Sequence, residues 1–150
     1  MLLSRHLPEG VKGMKKVLFL GVLSIFLILA ACGKEDTYSD LTLDGLKDFV
    51  SEKKTGFVLF TYNTDDMETN KEQVSKALAE NDKKSNYFNY REEVSNEQSS
   101  TFQHDVGTEQ SRDSLGYYEN GVLMAEFEMP SKWDENKIED LNKYIVQISE

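Results

Sequence analysis

The amino-acid sequence predicts an α/β domain built on a mixed four-stranded sheet with helices on both faces, and three stretches carry that reading. Residues 56–62, GFVLFTY, form a continuous apolar, β-branched and aromatic run of the kind a central strand buried on both faces requires. Glu119-Asn120-Gly121 separates two runs of strand character, the strongest short-range hairpin signal in the chain. Ile138, Leu141, Ile145 and Ile148 recur at helical spacing and give the C-terminal segment one apolar stripe.

The elements follow in order. Thr42 is placed to cap a helix over 43–54, with Leu43, Leu46, Phe49 and Val50 on one face and Gly56 as its stop. The strand over 56–62 comes next, then a polar loop over 63–66 and a helix over 67–81 that turns Val74, Ala77 and Leu78 inward. NYFNY, 86–90, reads as a short strand. Ser95-Asn96-Glu97-Gln98 has the spacing of a capping box and opens a weaker helix carrying Phe102 and Val106. Residues 115–118 and 122–127 are the arms of the hairpin, and Asp134 caps the last helix. A β-α-β crossover makes the first two strands parallel, and the hairpin adds an antiparallel pair.

Composition narrows the function. Acidic residues outnumber basic ones 27 to 17 in 150 residues, a formal charge of −10, without a basic cluster. Nucleic-acid affinity comes mainly from Lys and Arg neutralising phosphates, so no nucleic-acid partner is expected. Cys32 is the one cysteine, which excludes an internal disulfide, a CxxC pair and a Cys-rich zinc site.

That cysteine closes the one strongly apolar stretch, residues 17–31, which follows Lys15-Lys16. As a helix the fifteen residues reach about 22 Å, short of the ~30 Å hydrocarbon core. A basic start, an apolar middle and small residues at the end describe a signal peptide over 1–31. Met14-Lys15-Lys16 is its natural beginning, and Glu9-Gly10-Val11 can be encoded by a ribosome-binding sequence before Met14, so Met14 is the expected true start. Leu29-Ala30-Ala31-Cys32 is similar to the lipobox of bacterial lipoproteins at every position. The resemblance implies cleavage between Ala31 and Cys32 and a diacylglycerol on the Cys32 sulfur, with palmitate-type chains that hold the protein on the outer face of a Gram-positive cell membrane. The alternative is an uncleaved N-terminal anchor with a buried cysteine. Beyond Cys32, residues 32–40 read as a lipidated tether whose polar part, 33–40, reaches at most about 29 Å. The domain then spans 41–150. The mature 119 residues carry 26 acidic against 13 basic side chains, a formal charge of −13.

The element order and the strand–Asn-Gly–strand ending over nearly all of 41–149 resemble the thioredoxin fold, in the style of small accessory lipoproteins of Gram-positive bacteria. In that family the dithiol sits after the first central strand at the start of the next helix, where the helix dipole lowers the thiol pKa. The matching window here is Asp65-Asp66-Met67-Glu68-Thr69, without cysteine. The family also holds a cis-proline opposite the dithiol. The matching segment is Ser111-Arg112-Asp113-Ser114, without proline, and a non-proline cis bond costs about 3–4 kcal/mol. Thiol exchange needs a thiolate, so oxidoreductase activity is not carried over and no catalytic residue is expected.

Other candidates have simpler explanations. Asp65, Asp66 and Glu68 lack calcium-loop spacing, and acidic residues at a helix start complement its dipole. His104 has no second histidine in the mature chain, so neither metal nor cofactor is expected beyond the covalent lipid. Gly-x-Ser-x-Gly is absent. Glu92-Glu93 and Asp82-Lys83-Lys84 read as solvated faces, and Tyr117-Tyr118 and Trp133 as packing residues. The function expected is a membrane-anchored module that binds a protein or peptide without redox chemistry. The alternatives are a redox or transport accessory factor acting with a partner enzyme, and a structural cell-wall lipoprotein.

Overall fold

A computed structural model of the chain describes residues 37–150. The signal segment with its expected start at Met14, the cleavage pair Ala31 and Cys32, and tether residues up to 36 lie outside the described residues. The elements are β1 (Tyr38–Asp40), α1 (Leu43–Ser51), β2 (Gly56–Thr61), α2 (Met67–Glu80), β3 (Ser85–Asn89), α3 (Tyr90–Glu93), α4 (Asn96–Ser99), α5 (Phe102–Val106), β4 (Ser114–Glu119), β5 (Val122–Glu128) and α6 (Glu135–Ile148).

Local chemistry sets most boundaries. Thr42 Oγ1 accepts from Gly45 N at 3.1 Å and starts α1. The Glu93 carboxylate adds a second cap by accepting from Leu43 N at 3.0 Å, so this residue is half-buried and structural rather than part of a solvated face. α1 stops at Ser51, three residues before its predicted end, and Lys53 turns into the left-handed region at φ 58°. Both reciprocal bonds of the capping box at Ser95 are present. The helix they open is interrupted at Ser100-Thr101, however, and a second short helix closes at Gly107 with φ 78°. Asp134 accepts from Lys137 N at 2.9 Å and starts α6.

The sheet order is β1-β3-β2-β4-β5. β2 and β3 are parallel, with Val58 opposite Asn86, and β4 runs antiparallel to β2, with Gly116 opposite Val58. The sheet therefore has five strands where four were predicted. The fifth, β1, lies parallel to β3 and is cut from the segment predicted as tether. Main-chain pairing with Ser85–Asn89 recruits these residues, and a half-exposed polar edge strand has no hydrophobic period to betray it.

Alternation along β2 feeds two cores. Val58 and Phe60 point to one side, where Leu46, Phe49, Phe88, Phe102 and Tyr118 meet them. Phe57 and Leu59 point to the other, against Val74, Leu78, Leu115, Leu141 and Ile145. Each fully buried side chain of this size contributes about 1.5–3 kcal/mol relative to exposure. A register shift lies between Tyr117 and Tyr118. Tyr118 is fully buried with its ring 5.5 Å from Phe49, and Tyr117 packs at 4.9 Å from Phe57 on the opposite face. Trp133 stacks on Phe127 and donates Nε1–H to Asn70 Oδ1 at 2.8 Å. Ile138, predicted on the buried stripe of α6, is at the exposed margin, whereas Leu141 and Ile145 are fully buried.

Burial raises four phenols. It pushes Tyr118 up to about 12, and those of Tyr38, Tyr87 and Tyr144 also rise, chiefly through desolvation. Above pH 10 the unfolded chain releases these protons while the folded chain keeps them, so stability falls as pH increases. For each such tyrosine the slope approaches about 1.4 kcal/mol per pH unit between its unfolded and folded values. Urea midpoints measured from pH 8 to 11.5 are expected to be flat to about pH 9.5 and to drop steeply beyond it.

Candidate functional site

The two segments singled out from sequence meet at the C-terminal end of β2. There the chain leaves the sheet through Tyr62 and Asn63, enters α2 at Met67, and is crossed by Ser111-Arg112-Asp113 on its way into β4. Asp113 makes the junction. Its Oδ1 accepts from Tyr62 N at 2.8 Å and Asn63 N at 3.1 Å, 51 and 50 residues away in sequence. Asn63 folds the loop on itself, with Oδ1 accepting from Asp65 N and Nδ2 donating to Asp66 Oδ2 at 2.9 Å. Asp113 thus occupies the position of the expected proline loop with a carboxylate that binds backbone amides. All peptide bonds among the described residues are trans.

The predicted window divides by environment. Asp65, Glu68 and Thr69 are exposed, and Asp66 and Met67 are half-buried. Asp66 stands at the helix start without a side-chain capping bond. Met67 places a thioether at the first helical position, where its sulfur accepts from Tyr87 OH at 3.3 Å and Asn89 Nδ2 at 3.7 Å. A thioether has no proton to lose, so the helix dipole has no thiol to activate. Tyr87 OH also meets Thr61 Oγ1 at 2.9 Å, which ties the window to the buried end of β2. Among the described residues no three His, Asp or Glu side chains converge as a metal site. His104 is on the surface, its Nδ1 3.3 Å from Asp105.

Arg112 is exposed and its guanidinium lies 4.7 Å from the ring centres of both Tyr62 and Tyr90, which meet edge to face at 5.8 Å. One N–H reaches Ser99 Oγ at 3.1 Å, and Ser99 Oγ also meets Tyr90 OH at 3.2 Å. Cation–π contact of this kind is worth about 0.5–1 kcal/mol at a surface and fixes the planar group. The main-chain N–H and C=O of Arg112 have no partner within the described residues. A cavity of about 210 Å³ opens here, lined by Tyr62, Tyr90, Arg91, Asn96, Ser99 and Arg112. A larger groove of about 480 Å³ lies elsewhere, beside the hairpin turn at Gly121 and Val122.

Behind Arg112 lies a buried polar chain that the sequence does not announce. Thr108 Oγ1 meets Tyr118 OH, Tyr118 OH donates to Gln110 Oε1 at 2.9 Å, and Gln110 Nε2 donates to Val58 O at 2.9 Å and to Ser114. Glu126 closes it by accepting from Ser111 N at 2.7 Å, Ser111 Oγ at 2.8 Å and Ser114 Oγ at 3.0 Å. The loop that presents Arg112 is therefore held from within. Its residues, TEQSRDS, are all polar, with no hydrophobic period to mark them as part of the interior.

No family model matches the sequence, and no curated protein does. Solved structures do match in fold. One, a candidate oxidoreductase with a thioredoxin fold, aligns with a TM-score of 0.53 at 19% identity over 76% of this chain and 95% of its own. Another, the J-Trx1 fragment of ERdj5, aligns with a TM-score of 0.51 at 15% identity over 75% of this chain. This chain spans half of that fragment. The domain therefore has a thioredoxin-like fold, a mixed sheet flanked by helices, as its element order predicted.

Proposed function

We propose that this chain is a lipid-anchored extracytoplasmic protein whose thioredoxin-like domain binds a protein or peptide segment and performs no thiol exchange. The observation that carries the reading is the unpaired main chain of Arg112 beside the β2–α2 loop. An extended segment laid across it gains backbone hydrogen bonds in the manner of strand addition, with the exposed ring of Tyr62 as apolar support. The residues facing it supply no thiol, because the sequence from 37 to 150 contains no cysteine. The formal charge of −13 on the mature chain favours a neutral or basic partner and opposes anionic headgroups.

Two measurements test the proposal. Mass spectrometry of the protein taken from its own membranes is expected to find a chain that begins at Cys32 and carries diacylglycerol. A photo-crosslinking side chain at Tyr62 is expected to capture a polypeptide in living cells, and one at Lys143 on α6 is not. An unmodified Cys32 thiol would refute the anchor. Catalysed insulin reduction by the full chain would replace this reading with the redox accessory one.

A further inference from the structure

Arg91 and Arg112 are the two arginines of the described residues, and both line the 210 Å³ cavity. Neither pairs with a carboxylate there, although acidic side chains outnumber basic ones two to one in the mature chain. Asp113, the neighbour of Arg112, turns its Oδ1 to two backbone amides instead, and Glu93 turns to Leu43 N.

We propose that this cavity is a carboxylate-binding subsite. It would take one carboxylate carried by the peptide segment that crosses Arg112, either the C-terminus or a single Asp or Glu side chain. The inference rests on the proposed peptide-binding role and adds what that peptide must present.

The chemistry selects a planar monoanion. A guanidinium has five N–H donors, and Arg112 commits one of them to Ser99. Its contacts with two tyrosine rings pre-set the plane of the fork, so little freedom remains to be lost on binding a flat carboxylate side by side. Arg91 adds a second positive charge, and the Asn96 and Ser99 side chains line the same space. A phosphate dianion gains from the same donors but meets the repulsion of the domain's net negative charge twice over. A wholly acidic peptide meets it at every residue, so the segment is neutral or basic apart from this one group.

The test uses the full chain in non-ionic detergent. Acetate is the first probe, followed by side-chain NMR of the arginines, and it separates the subsite from the peptide role. Saturable millimolar shifts at Arg91 and Arg112 are expected, with inorganic phosphate weaker. Three six-residue Val/Thr peptides follow, one with a free C-terminus, one amidated, and one amidated with a central Glu. The free acid, the Glu peptide or both are expected to bind about tenfold tighter than the plain amide, and which of them does so identifies the source. Arg91→Gln and Arg112→Lys should each remove that preference. The Arg91 side chain is exposed and makes no hydrogen bond or ion pair among the described residues, so its variant remains informative if Arg112→Lys perturbs the loop. Acetate binding without any peptide binding would sustain the subsite and sink the peptide role. Equal binding of acid and amide peptides, a phosphate preference, or indifference to both substitutions would overturn the subsite.

Discussion

Gly121→Ala is expected to cost about 2–5 kcal/mol of unfolding free energy, combining the left-handed backbone penalty with overpacking. Gly121 sits at φ 78° after Asn120 at φ 52°, the two positive values a tight hairpin turn requires. A Cβ there would stand 2.2 Å from the carbonyl oxygen of Val50 and 3.1 Å from Lys53 Cα. Both obstacles are backbone, so no rotamer change relieves them. The turn is also pinned, because Gly121 N donates to Lys54 O at 2.8 Å and Asn120 N to Thr55 Oγ1 at 3.0 Å. The substitution pushes the hairpin off the segment that joins α1 to β2. Urea unfolding should show a large fall in midpoint, and an unchanged midpoint would mean that the close approach does not exist in solution.

Gln110→Ala should cost about 3–5 kcal/mol, since it strands several buried groups and opens a void. Val58 O, Ser114 and Tyr118 OH each lose a bond, and Val58, Ser114 and Tyr118 are fully buried. Gln110 fits only because β4 has a glycine opposite it: a Cβ at Gly116 would lie 2.6 Å from the carboxamide. Tyr118→Phe removes the hydroxyl that Gln110 accepts from, so the two substitutions share one interaction. The double variant should be more stable than the sum of the singles implies, by about 0.5–3 kcal/mol. Strict additivity would show that the network is not coupled.

What could be read from the residues depended on whether each element declares itself locally. β2 did, because burial on both faces leaves a run from Phe57 to Phe60 that no solvated segment tolerates. The hairpin turn did through Asn120-Gly121, and α4 through the reciprocal bonds of Ser95 and Gln98. β1 did not, since Tyr38–Asp40 holds a single aromatic residue, and the packing of Tyr38 on Tyr87 and its bond to Lys71 O arise only once β3 and α2 are beside it. Nor did the break at Ser100-Thr101, where Thr101 Oγ1 bonds Asp105 Oδ2 at 2.7 Å and Phe102 starts a new helix. The two halves of the site were legible separately, as Asp65 to Thr69 and as Arg112-Asp113. The clamp of Asp113 on Tyr62 and Asn63, and the cavity that Arg91 and Arg112 both line, exist only once β2, β3 and β4 are side by side.

The parallel alignment of β1 has an orientational consequence. Tyr38 pairs with Ser85 at the start of β3, whereas Tyr62, Tyr90 and Arg112 lie where β2 and β3 end and β4 begins. The polypeptide enters the sheet at one pole and displays Tyr62, Arg91 and Arg112 at the other.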